Sequence, residues 1–231
     1  MSGLSIFANP LLDVFEEAMA RGSDISEQRT KSITEYGFAV PTDNALDVIQ
    51  QCSPGGVVEI GAGAGYWAHL LHQRGVDVEA FDIEPAPSLA NKWFAGTQPW
   101  HPVQCADHNV VGDHPGRTLL IVWPPKNEVW AAAAVERYFE VGGTCVAYVG
   151  EGPGGHTGDD VFHAALGELV TCVQCAYGSM TSPCICAVEP RWCRSETIVL
   201  PHWPGYHDDL RIYTRRHPPS QTQRRWRKPK G

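Results

Sequence analysis

The stretch Val57–Leu71, VVEIGAGAGYWAHLL, constrains the fold more than any other part of the chain. A short apolar run meets three glycines at alternate positions, Gly61, Gly63 and Gly65, and then a segment whose apolar residues recur at helical spacing. Strand, tight loop and helix in that order are the opening unit of a parallel α/β sheet. Glycine is required there because the loop must turn sharply and bring backbone amides close to a ligand, which a β-carbon would obstruct.

The segments that follow repeat the alternation: VDVEAFDI, HPVQCA, TLLIVW and GTCVAYVG are strand-like, while YWAHLLHQRG, EVWAAAAVERYFE and DVFHAALGELV are helical. ETIVLPHW and DLRIYTRR, joined by PGYH, read as an antiparallel hairpin closing the sheet. Before the first strand, Asn9 and Pro10 suit the cap and first turn of one helix, and Thr42 can cap DNALDVIQQC before the Pro54-Gly55-Gly56 break. The fold expected is α/β: a Rossmann-like, doubly wound, mostly parallel seven-stranded sheet with a C-terminal antiparallel hairpin and N-terminal helices. The division expected is an N-terminal helical segment over residues 1–54 and a nucleotide-type domain over 55–216. A cysteine-rich stretch at 171–195, read as an insertion or as an elaborated sixth strand, and a basic disordered tail at 217–231 complete it.

The glycine spacing narrows the ligand. A dinucleotide fingerprint places its third glycine one residue later than Gly65. The next strand ends in Asp82, an acidic side chain able to accept both hydroxyl protons of a ribose. A third strand-like run, VQCAD, ends in Asp107, at the height of an adenine amino group. Three loop ends thus converge on a nucleoside-shaped pocket.

Over about Val57 to Gly150 these residues resemble the class I S-adenosylmethionine-dependent methyltransferase superfamily, whose first motif is similar to VVEIGAGAGYWA and whose second acidic position is similar to Asp82. The resemblance implies that Gly61, Gly63 and Gly65 pack against the methionine portion of S-adenosylmethionine. It implies too that Glu59 orders the loop, Asp82 holds the ribose and Asp107 lies near the adenine. Because the sulfonium already carries the leaving group, transfer of the methyl asks little of the protein beyond in-line positioning.

The acceptor side is less defined. LLIVWPPKNEVW falls at the fourth strand's exit. Enzymes that methylate amino groups of nucleic-acid bases place Asn, Asp or Ser before Pro-Pro and an aromatic after it, and here Trp123 and Lys126 hold those places. That departure argues against base methylation, and leaves Trp123, Pro124 and Pro125 either shaping a substrate pocket or stiffening a strand exit. The fifth strand runs into VGEGPGGHTGDD, where His156 is the first candidate for a general base, with Asp160 or Glu151 as its orienting partner or as the alternative base. A surface loop leading to a helix cap at Asp159 explains the same residues without chemistry. Trp203 and His207 in the terminal hairpin are candidates for acceptor contact, and turn chemistry around Pro204-Gly205 accounts for them equally.

Charge and cysteine usage bound the partners. The chain has 231 residues and a formal net charge of -8, and the eight basic residues between Arg211 and Gly231 leave a strongly acidic body. Such a body repels a phosphate backbone, so a small-molecule acceptor is expected and a nucleic-acid partner disfavoured. The absence of a long apolar run or a basic-then-apolar start points to a soluble cytoplasmic protein without a membrane span. Cys52, Cys105 and Cys145 read as small buried residues. Cys172 and Cys175 followed by Cys184 and Cys186 offer four thiols to a structural zinc, with buried free thiols or redox work as the other readings. The function expected is methyl transfer from S-adenosylmethionine to an oxygen or nitrogen of a small molecule. The alternatives are a nucleic-acid or protein methyltransferase, and a non-catalytic nucleoside-binding module that docks a partner through the cysteine-rich insert and tail.

Overall fold

The computed structural model describes residues 7–168 and 191–216. Three helices, α1 (Pro10–Arg21), α2 (Ile25–Glu35) and α3 (Asp43–Cys52), precede the sheet. The Asn9 side chain accepts from Leu12 N at 3.3 Å to start α1, Pro10 occupies its first turn, and Gly22 ends it in the left-handed region at φ 68°. Thr42 Oγ1 accepts from Ala45 N at 3.2 Å to start α3. Each cap satisfies a backbone donor that the helix itself leaves unpaired.

Then come β1 (Val57–Ile60), α4 (Tyr66–Gln73), β2 (Val78–Asp82), β3 (Val103–Cys105), a 3-10 turn (His108–Asp113), β4 (Thr118–Val122), α5 (Trp130–Glu140), β5 (Cys145–Gly150), α6 (Asp160–Ala165), β6 (Trp192–Val199) and β7 (Asp209–Arg215). The strands form one sheet in the order β3-β2-β1-β4-β5-β7-β6. The first five are parallel, and β7 inserts antiparallel between β5 and β6, with Cys145 opposite Thr214 and Gly150 opposite Asp209. This is the doubly wound sheet with a terminal hairpin that the sequence leads one to expect.

Strand alternation divides the core in two. Val57, Leu120, Ala147 and Ile212 face a layer holding Leu11 and Phe15 of α1, Leu46 and Ile49 of α3, and Leu70 and Leu71 of α4. Val58, Ile60, Leu119, Ile121 and Tyr148 face Val135 and Tyr138 of α5 and Phe162 of α6. Each fully buried aliphatic side chain contributes about 1.5–3 kcal/mol, so the N-terminal helices are held by the same core as the sheet.

Two local expectations differ from the structure. Cys105 is exposed, because the short β3 is an edge strand with one face uncovered, and Cys52 is half-buried; only Cys145 of the three is buried. The hairpin also begins earlier than its apolar residues suggest. β6 starts at Trp192, whose ring stacks on Tyr138 at 5.9 Å, so residues 192–195 belong to the sheet, as part of its sixth strand. Cys172, Cys175, Cys184, Cys186 and the tail lie outside the described residues. Among the described residues, no cluster of three or more His, Cys, Asp or Glu could hold a metal ion, and no helix is long and apolar enough to cross a membrane.

Candidate active site

Open parallel sheets bind ligands beyond the carboxyl ends of their strands, where the crossovers diverge to opposite faces. Here that point lies between β1 and β4. A cavity of about 330 Å³ opens there, walled by the ends of β1, β2, β3 and β4, by Tyr36–Phe38 after α2, and by residues 90–94 of the β2–β3 connection.

The glycine loop is fastened to β2. Gly61 N and Ala62 N both donate to Phe81 O, at 2.8 and 3.0 Å, and Gly63 N donates to Asp82 Oδ2 at 2.8 Å. The other oxygen of Asp82 accepts from Glu84 N at 2.9 Å. Asp82 therefore organises the loop while standing in the cavity wall. Gly61 and Gly63 have positive φ, and a β-carbon on either would strike an aromatic ring: Trp130 at 2.7 Å from Gly61, Phe94 at 2.3 Å from Gly63. Both glycines line the cavity and let those rings close over the loop. Gly65 differs. It is the left-handed residue before α4, packed toward His101 and Val103, and the cavity wall does not include it.

Glu59 is the one carboxylate of β1, and it is 2% exposed. Its Oε2 is buried without a hydrogen-bond partner. Burial pushes its pKa up to about 8, against the backbone amide of Ala68, while the charge of Asp82 pushes the same way. A carboxyl group with a buried, unpartnered oxygen thus borders the cavity. Trp67, in the same wall, likewise carries a buried indole N–H without an acceptor.

Asp107 lines the cavity at the end of β3, but its carboxylate is turned to its own turn, accepting from Asn109 N at 2.9 Å and Asn109 Nδ2 at 3.1 Å. Those bonds hold its pKa below the usual carboxylate range. The residue caps the 3-10 turn.

On the acceptor side, Trp123 and Pro125 line the cavity and Pro124 does not. Pro124 O accepts from Gly158 N at 2.9 Å, and Lys126 Nζ donates to Gly155 O at 2.9 Å, so this loop is knitted to the one after β5. Trp203 is a core residue, 1% exposed and edge-on to Phe15 at 5.0 Å; it faces α1 and not the cavity. His207 is exposed and also lies outside the wall.

Glu151 and His156 do pair, with His156 Nδ1 2.8 Å from Glu151 Oε2. Burial alone would raise Glu151, but hydrogen bonds from His156 and from the backbone of His207 outweigh it and hold the carboxyl below its ordinary range. Asp160 is exposed in the first turn of α6, which Asp159 caps by accepting from Phe162 N at 2.8 Å. None of Glu151, His156 and Asp160 stands in the cavity wall. Glu151 and His156 thus pair in the loop after β5 and Asp160 follows at the start of α6, all three outside the cavity wall.

Several wall residues escape the strand-end reading: Tyr36 and Phe38 between two N-terminal helices, Trp93 in the β2–β3 connection, and Trp130 at the start of α5. The aromatic pairs in YGF and KWF were the available signal, but only the folded chain brings them to the strand ends.

No protein-family model matches the chain, and no curated protein does. Solved structures do. Magnesium protoporphyrin IX methyltransferase from Synechocystis PCC 6803 is similar over 92% of this chain and 100% of its own, at 13% identity and a TM-score of 0.45. A 1,6-didemethyltoxoflavin-N1-methyltransferase from Burkholderia thailandensis is similar over 93% of both chains, at 13% identity and 0.43. The tRNA (uracil-54, C5)-methyltransferase of Pyrococcus abyssi is similar over 78% of this chain and 40% of its own, at 16% and 0.40. At such identities and scores these likenesses decide neither ligand nor acceptor. The strand order and the cavity at its switch point stand on their own: the chain is a Rossmann-like, doubly wound seven-stranded domain, the fold implied by its resemblance to the class I S-adenosylmethionine-dependent methyltransferases.

Proposed function

We propose that the protein is a class I S-adenosylmethionine-dependent methyltransferase that acts on a small molecule, transferring the methyl to an oxygen or nitrogen. The observation that carries the reading is Glu59, a buried carboxyl group with an unpartnered oxygen beneath the glycine loop. A neutral nucleotide end alone would leave it unanswered, whereas a ligand with a cationic amino-acid end satisfies it. S-adenosylmethionine supplies an activated methyl on sulfur. Asp82, on the lip of β2, has lone pairs left for ribose hydroxyls beyond its two amide bonds. Ile83, 67% exposed in the same wall, offers an apolar surface to a base.

The acidic residues Asp82, Glu84, Asp107 and Glu128 also border the cavity, against Lys92. That balance is unfavourable to a phosphodiester and supports a small acceptor over a nucleic acid.

Calorimetric titration with S-adenosylhomocysteine, and separately with NAD, tests the reading. Micromolar binding of the former alone is expected, weakened about tenfold or more by Asp82→Ala, which removes charge-assisted hydrogen bonds. Binding of NAD alone, or of neither, would sink it.

A further inference from the structure

We infer that the acceptor side of the cavity is a slot for a flat aromatic ring system, lined by an aromatic wall of Phe38, Trp93 and Trp123; this rests on the methyltransferase reading above. Four of the chain's eight tryptophans line this one cavity. Phe38 is already stacked on Trp123, with centroids 4.3 Å apart and 7° between planes, so no ring fits between them; Tyr206 meets Trp123 at 5.8 Å and Trp93 meets Phe38 edge-on at 5.1 Å and 86°, which makes the four rings one continuous aromatic wall. The rings come from separate segments, so their continuity is a product of the fold.

Trp123 shows how firmly one wall is set. Its backbone sits at φ 51°, a region that bulky residues rarely adopt and that is held only when the surroundings require it. Its N–H donates to Val149 O at 2.8 Å, and its indole N–H donates to Asp208 Oδ1 at 2.8 Å. The Trp130 indole is likewise spent, on Glu128 Oε2 at 3.1 Å. With these donors committed inside the protein, what the two rings present to a ligand is π surface and not hydrogen bonds. Trp93 is 41% exposed and borders the cavity, while the Lys92 ammonium lies over its ring, 4.8 Å from the centroid. A saturated or strongly polar acceptor would use little of this wall. A planar apolar one would lie along it.

The test compares 2-naphthol with decahydro-2-naphthol, two neutral alcohols of the same carbon skeleton, by calorimetry on the full chain alone and with saturating S-adenosylhomocysteine. The planar alcohol is expected to bind at least about tenfold more tightly. Trp123→Leu should abolish that preference, with measurable S-adenosylhomocysteine binding as the check that the cavity still forms. Trp93→Leu, at a half-exposed position with little bearing on folding, should reduce it several-fold. Equal affinity for the two alcohols, no binding of either, or a preference that survives both substitutions would overturn the slot. Failure of S-adenosylhomocysteine to bind would instead remove the methyltransferase reading, and the comparison of the two alcohols on the chain alone would still report on the slot.

Discussion

The indole N–H of Trp123 donates to Oδ1 of Asp208 at 2.8 Å, joining the exit of β4 to the residue that precedes β7. Asp208 is 2% exposed. Burial pushes its pKa up to about 6, the Trp123 hydrogen bond pulls it back, and the nearby charge of Glu151 adds to the rise. Removing the acceptor leaves a donor without a partner, which costs about 1–3 kcal/mol. Asp208→Ala should therefore lower stability by that amount in urea unfolding, whereas Asp208→Asn, which keeps an oxygen for the indole, should stay within about 1 kcal/mol of the parent. Equal losses in the two variants would show that the charge, and not the hydrogen bond, matters.

Glu59 predicts a pH dependence of definite sign. Its pKa rises from 4.5 in the reference state to about 8 in the fold. Between those values the native state holds a proton that the unfolded chain has lost, so stability falls as pH rises through the window. Glu59→Gln cannot ionise. The stability of this variant relative to the parent should grow from pH 5 to pH 8, read as the difference between two urea series. A constant difference would mean that Glu59 ionises in the fold much as it does in the unfolded chain. A cationic ligand at this carboxyl should also release a proton on binding near pH 7, seen as a dependence of the binding heat on the ionisation enthalpy of the buffer.

Much of this was readable in the sequence because it is local. Asn9, Thr42 and Asp159 cap the helices that follow them, and VVEI, VDVEAFD and TLLIV alternate apolar and chain-reversing segments in the order of a doubly wound sheet. Strand ends are readable for the same reason, which is why Glu59, Asp82, Trp123 and Pro125 stand in the cavity wall. What chain order could not supply is direction and reach. Trp203 is one residue among several aromatics in its turn, and only the packing of α1 against β7 shows that it turns inward to Phe15. Phe38 and Trp93 are 55 positions apart and meet only after the β2–β3 connection folds back over the glycine loop.

Glycines on either side of α4 can be graded by what surrounds them. A methyl on Gly63 would lie 2.3 Å from the Phe94 ring, and the residue has φ 57°. Gly75 has φ 81° and nothing within 4 Å of the position a methyl would take. Gly75→Ala should cost about 1 kcal/mol, the strain of the left-handed conformation alone. Gly63→Ala should cost about 1–3 kcal/mol more, because Phe94 must leave its place. It should also weaken S-adenosylhomocysteine binding. Similar thermal denaturation of the two variants would show that Phe94 yields without cost.

Glu151 distinguishes a latch from a catalyst. Its Oε1 accepts from His207 N at 2.8 Å, and its Oε2 accepts from the backbone and ring of His156, so one buried carboxylate holds the loop after β5 against the turn before β7. Because its pKa is lowered in the fold, its contribution is present above pH 4.5 and is lost as pH falls below that value. Glu151→Ala should free both amides, raising hydrogen exchange at His156 and His207 and costing about 1–3 kcal/mol, since two buried donors lose their acceptor. S-adenosylhomocysteine affinity should be unchanged, because Glu151 is not in the cavity wall. Should the variant leave both exchange rates alone and instead abolish turnover once an acceptor is in hand, Glu151 would belong to the chemistry, and the loop that carries His156 would have to close over the pocket for the reaction.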